Sequence, residues 1–199
     1  MKTVQNNTSP TLADPAKQQA LKSESNKISM AGFLVDNDRD KIAERKPERL
    51  EEFDAKVGRK KFSAITFYPI EITLKYQREA AKILYGNDSL ESFYKLGVWD
   101  YHIVMDTQLG KILKALYFKD VKSTAMALPS IVNAVSRGIK VQVVDKGERE
   151  VEMIYENDPY PQTYFQGMFE EALRNSFHIK GTVTVNNYPD GKRVFNLKW

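Results

Sequence analysis

Cysteine is absent from the 199 residues, which excludes disulfides, thiolate nucleophiles, iron–sulfur ligation and cysteine-ligated zinc. Histidine is nearly absent too: His102 and His178 are the only imidazoles, too few for an all-nitrogen metal site, so no metal centre is expected. No apolar stretch approaches the roughly 18 residues of a spanning helix. The first residues, MKTVQNNTSPTLAD, lack the continuous apolar segment of a secretory signal. These absences predict a cytoplasmic chain without membrane insertion. Also missing are a glycine fingerprint for dinucleotides, a phosphate-cradling loop ending in Lys and Ser/Thr, and a serine in the nucleophile-elbow pattern.

What is present suffices for one sizeable core: 42% of the residues are hydrophobic and 28% charged, the balance of a globular chain. The formal charge of +4 is too modest to predict specific nucleic-acid binding. Its sharpest positive run, Arg59, Lys60 and Lys61, has no interleaved aromatics. It reads as a solvated connector, with contact to a phosphate or an acidic partner as the functional alternative.

Residues 1–27 are polar, without regular apolar spacing, and are expected to form a flexible N-terminal segment. Order should begin at Ile28–Val35, and residues 28–199 are expected to form a single domain. Pro47 and Pro69 each open a helical pattern, closed by Gly58 and Gly86 respectively. In the second pattern Ile70, Leu74, Gln77, Ala81 and Leu84 run down one side. Asp88, three residues before Glu91, imitates a capping box; Gly97 is expected to break or bend the helix that follows, and Gly110 to act as a hinge. Pro129 should kink or divide the next helical stretch.

After Gly138 the apolar period changes from about 3.6 to 2. Val141 and Val143, then Val151, Met153 and Tyr155, alternate with polar neighbours around Gly147, the pattern of a hairpin. An amphipathic helix over 163–177 carries Phe165, Phe169, Ala172 and Ser176 on its packed side, with Gly167 allowing close approach of a neighbour. Two further strands, 182–188 and 193–199, finish the chain. The predicted fold is α+β: an N-terminal helical section packed against a C-terminal β-β-α-β-β antiparallel sheet unit.

No catalytic residues are assigned. His102 sits between Asp100 and Asp106, so acid–base chemistry through Asp100 and His102 is one reading, an ordinary helical histidine the other. His178 reads as a residue at a helix C-terminus. Glu148, Glu150 and Glu152 share a strand face, more in the manner of a wet surface than of a paired-carboxylate site. Aromatics gather near element junctions, where they either fill a core or line a pocket. The contact candidates for a ligand or partner are Phe93, Trp99, His102, Tyr117, Phe165 and Phe169.

The segments YPIEITLKYQREAAKILYG, SLESFYKLG, DPYPQTYFQGMFEEALRNSFHIKGTVTVNNY and FNLKW, with MAGFLV before them, resemble the DUF2378 family from about Met30 to Trp199. That family resembles, more distantly, the haem-nitric oxide/oxygen-binding (H-NOX) domains and the V4R-type ligand-binding modules. The resemblance implies a sensory or scaffold role and carries no enzymatic activity. Haem-binding relatives place a proximal histidine in the helical region before the first late strand, and a Tyr-x-Ser-x-Arg pattern after it. Here residues 111–137 contain no histidine and the stretch at Tyr155 reads YENDPYP, which disfavours a haem-based gas sensor, so no cofactor is predicted. The leading expectation is a non-catalytic cytoplasmic regulatory module that binds a small apolar ligand, a protein partner, or both. Its rivals are a structural adaptor without a pocket, the haem sensor, and an enzyme using Asp100 and His102. The sequence gives no oligomeric state.

Overall fold

The computed structural model describes residues 28–199, so the expected N-terminal segment 1–27 lies outside the described residues. The chain starts with a short strand β1 (Ser29–Ala31), then helix α1 (Gly32–Arg45), a 3-10 turn (Pro47–Arg49) and α2 (Leu50–Val57). Strand β2 (Phe67–Pro69) leads into α3 (Ile70–Tyr85), followed by α4 (Leu90–Asp106), α5 (Gln108–Tyr117) and α6 (Val121–Val135). Then come β3 (Ser136–Arg137), β4 (Lys140–Gly147), β5 (Glu150–Glu156), α7 (Gln162–Ser176), β6 (Thr182–Asn187) and β7 (Arg193–Lys198). The architecture is α+β, with the predicted β-β-α-β-β unit in place.

The four late strands form an antiparallel sheet in the order β4-β5-β7-β6. Val151 pairs with Leu197 and Met153 with Phe195 in one register, and Val183 pairs with Leu197 in the next. This puts Val151, Met153, Tyr155, Phe195 and Leu197 on one buried face. Helix α7 covers that face, and the helical section completes the same interior: Ile42, Phe53, Ile83 and Leu96 belong to one continuous core with Val151, Phe169 and Phe195. A second, three-stranded sheet, β2-β1-β3, ties the start of the described chain to the end of α6. Its strands of two or three residues are too short to leave a period-2 signal in the sequence.

Several local expectations change. Residues 32–45 form one helix although no apolar stripe announces it, because its buried face carries Asn37, Asp38 and Lys41 beside Val35 and Ile42. The cap of α4 is Ser89, whose hydroxyl accepts from the Ser92 N–H; Asp88 instead lies near Arg78 and Lys82. Gly97 does not break α4, which runs unbroken through it. The chain turns at Thr107, which caps α5 by accepting from the Gly110 N–H, so the hinge lies three residues before the expected glycine. Pro129 stands inside a single helix, α6.

The close packing of α4 on α7 fixes everything that follows. Gly97 and Gly167 sit where the two backbones meet, each facing a carbonyl oxygen of the other helix. A side chain at either position would hold the helices apart.

Candidate functional site

Two concavities flank the α4–α7 pair. One is an interior cavity of about 180 Å³ between α4, α6, α7 and the sheet. Its wall is mainly apolar: Leu128 and Val132 from α6, Phe165 and Met168 from α7, Val104 from α4 and Leu197 from β7. The sequence sets this up by placing small residues at helix crossings and apolar ones at helical spacing. Ala125 and Ala172 stand on the wall where longer side chains would fill the space. An aromatic layer closes the sheet side. The Phe165 ring lies 5.3 Å from Tyr155 and 5.9 Å from Phe169, and Tyr160 stacks on Tyr164 at 4.9 Å.

Part of the cavity wall is polar. Thr73 and Gln77, a turn apart on α3, and Asp100 on α4 reach its wall. Behind Asp100 lies a buried charge cluster. The Lys41 ammonium is fully enclosed between Asp38, 2.8 Å from its Oδ1, and Asp100. The Tyr164 hydroxyl donates to Asp100 Oδ2 at 2.8 Å. Burial pushes the Asp38 carboxyl up to about 6, against the pull of Lys41. Burial also works against the Lys41 charge, yet Asp100 and Asp38 together hold its pKa above the ordinary lysine value. Desolvation, with Asp158 or Asp100 nearby, keeps the Tyr155, Tyr160 and Tyr164 phenols well above their usual range and therefore protonated.

The second concavity is an outer groove between the end of α1, α4 and the last turns of α7. Trp99 forms part of its floor under the Arg45 guanidinium, 3.1 Å from the ring centre. The His102 Nε2 lies 2.7 Å from Glu171 Oε1, and Arg174 pairs with the same carboxylate. The Tyr94 hydroxyl donates to Glu170 at 2.6 Å. His102 and Arg174 are thus both held by one carboxylate within the groove.

The sequence candidates divide between these places. Phe165 and Phe169 line the cavity, whereas Trp99 and His102 line the groove. Phe93 is buried in the general core. Tyr117 ends α5 half-buried, its carbonyl accepting from Thr124 Oγ1, on neither wall. Arg59, Lys60 and Lys61 are exposed in the loop after α2, with Arg59 3.9 Å from Asp54. Asp100 and His102 do not converge: one is held by Lys41 in the interior, the other by Glu171 in the groove. Glu150 and Glu152, on the interior strand β5, are separate partners of Lys198 and Lys146. His178 follows α7 with a φ of 54°, while the next amide, Ile179, closes the turn onto the Leu173 carbonyl.

Thr73, Gln77 and the Asp38–Lys41–Asp100 cluster are absent from the sequence-based set of ligand contacts. Gln77 left a signal as a polar residue on an otherwise apolar stripe, and Asp100 was singled out only as an acid–base partner of His102. Among the described residues no cluster of His, Cys, Asp and Glu could hold a metal ion, and no helix is long and apolar enough to cross a membrane.

Comparison with known proteins follows the same lines. The profile of the DUF2378 family, described as a protein of unknown function, matches residues 29–199. No curated protein matches. The fold is similar to an Fe(II) unliganded H-NOX protein from K. algicida, at 11% identity over 85% of this chain and 96% of that one, with a TM-score of 0.64. It is also similar to an oxygen-binding H-NOX domain related to soluble guanylate cyclases, at 14% identity over 85% and 95%, with a TM-score of 0.61. A third similar structure, solved in a study of haem redox potential and porphyrin distortion, has 12% identity over 85% and 100%, with a TM-score of 0.67. At these identities the likeness concerns the fold.

The donor set on the cavity wall does not fit a haem iron. Among the described residues no imidazole reaches that wall, because both histidines line the outer groove. Of the phenols that do reach it, Tyr164 already donates its hydroxyl to Asp100.

Proposed function

The chain belongs to the DUF2378 family, and on that premise we propose that it is a non-catalytic cytoplasmic sensory module whose interior cavity takes a small, mostly apolar molecule. The observation that carries this reading is the cavity of about 180 Å³ walled by Leu128, Val132, Phe165 and Met168 at the junction of helices and sheet. Wall atoms that face empty space lack the dispersion contacts a packed interior supplies. A ligand that restores the missing contacts and leaves water lowers the free energy. Helices α5 and α6 contribute Leu113 and Leu128 to the wall, with Phe118 from the turn after α5, and expose Ile112, Leu116 and Met126. A change in cavity occupancy is therefore passed to an apolar surface on which a protein partner reads it, provided that the two packings bind the ligand unequally. The separation of Asp100, held by Lys41, from His102, held by Glu171, favours this reading over an enzyme.

Thermal unfolding of the full chain with and without toluene tests the proposal, in the wild type and in Ala125→Leu. Position 125 faces the cavity, so the leucine fills it. The wild type is expected to gain several degrees in Tm with toluene, and Ala125→Leu to respond far less. No shift in the wild type, or equal shifts in both, overturns the reading.

A further inference from the structure

Thr73 and Gln77 stand one turn apart on α3, both almost wholly buried, and both on the cavity wall. Thr73 Oγ1 and Gln77 Oε1 have no hydrogen-bond partner among the described residues. Buried polar side-chain atoms are nearly always satisfied, so two such atoms a helical turn apart on the wall of an apolar cavity mark a place where a partner is missing. The third atom of this kind, Asn37 Nδ2, does not lie on the wall and plays no part. The neighbouring Asp100 is already committed, to Lys41 through Oδ1 and to the Tyr164 hydroxyl through Oδ2.

Resting on the proposed ligand-binding reading, we infer that the cavity selects a compact one-ring molecule bearing a single hydroxyl, of the phenol or cyclic-alcohol class. One hydroxyl satisfies both orphaned atoms at once: it donates to Gln77 Oε1 and accepts from the Thr73 hydroxyl. A carboxylate is disfavoured, since it would meet the acceptor oxygen of Gln77 and stand beside the Asp100 carboxylate. Size sets the remainder of the molecule. A dry apolar cavity of about 150 Å³ holds benzene, so 180 Å³ takes one ring and a small substituent. Long acyl chains and macrocycles do not fit that volume. The rest of the ligand meets Phe165, Met168 and Leu128, which read apolar surface and shape alone.

The test measures dissociation constants for phenol and for toluene, of nearly equal size, with the full chain and with Gln77→Leu and Thr73→Val. Both substitutions remove an unsatisfied polar atom and keep approximate volume, and each variant's unfolding curve reports that it folds. Phenol is expected to bind the wild type and to weaken at least tenfold in Gln77→Leu, and several-fold in Thr73→Val. Toluene affinity should stay within about threefold in both. If toluene binds the wild type but phenol does not, or phenol and toluene change in step, the hydroxyl assignment is overturned while the cavity reading stands. Should a trapped water serve the two atoms, phenol gains nothing from them and the result is that same overturning one. If neither probe binds the wild type, the cavity reading itself fails, and this inference with it.

Discussion

Gly97 on α4 faces the carbonyl oxygen of Tyr164 on α7 so closely that a Cβ at position 97 would stand 1.9 Å from it, and Gly167 faces the Tyr94 carbonyl in the same way at 2.3 Å. The two glycines lock the helices together between the cavity and the groove. Both obstacles are helix backbone, which cannot swing aside as a flexible side chain would.

Gly97→Ala and Gly167→Ala are therefore expected to destabilise the chain by about 1–3 kcal/mol each, from overpacking. In an exposed helix the same change would gain about 1 kcal/mol from propensity. Urea unfolding checks this. Unchanged or raised stability in both variants would mean that the helices separate at little cost.

The buried charge cluster gives a pH dependence with a definite sign. Asp38 titrates at about 6 in the folded chain against an ordinary value of 3.8, so the folded state takes up its proton more readily than the unfolded state. Its stabilising contribution is fully present below about pH 4 and is lost as the pH rises through about 6. Asp38→Asn cannot ionise, so its stability should rise relative to the wild type as the pH goes from 4 to 8. Parallel stability curves for the two proteins would contradict the assignment. Lys41→Met, which leaves two carboxylates facing each other in the interior, should cost about 3–5 kcal/mol.

Haem gives a spectroscopic prediction. Because both histidines line the groove and none reaches the cavity wall, protein expressed with haem supplementation should purify without a Soret band. A stoichiometric Soret band that disappears in Tyr155→Phe or Tyr160→Phe would contradict the reading of the donor set.

Much of this fold was legible in the sequence because its signals are local. The period-2 runs at Val141–Val143 and Val151–Tyr155, the 3.6-residue stripe of α3, and the helix-ending turns at Gly58 and Gly86, with φ of 74° and 86°, each need only a few neighbouring residues to be read. The alternation after Gly138 also located the sheet, and Gly167 announced a close approach. What escaped depends on distant partners. Helix α1 buries Asn37, Asp38 and Lys41, and those residues look like a solvated face until Asp100 is brought against them. Gly97 resembled a helix breaker because its partner, the Tyr164 carbonyl, lies 67 residues along the chain. For the site, Phe165 and Phe169 were foreseeable as aromatics at an element junction. Thr73 was not, since nothing in its neighbours distinguishes an orphaned buried hydroxyl from an exposed one.

The most direct test of the central claim is diffraction from crystals of the full chain soaked in iodobenzene, reading the anomalous signal of the iodine. The account predicts one strong iodine peak inside the fold, among Leu128, Phe165 and Met168. Peaks confined to the groove beside Trp99 and His102, or no ordered iodine at all, would contradict it.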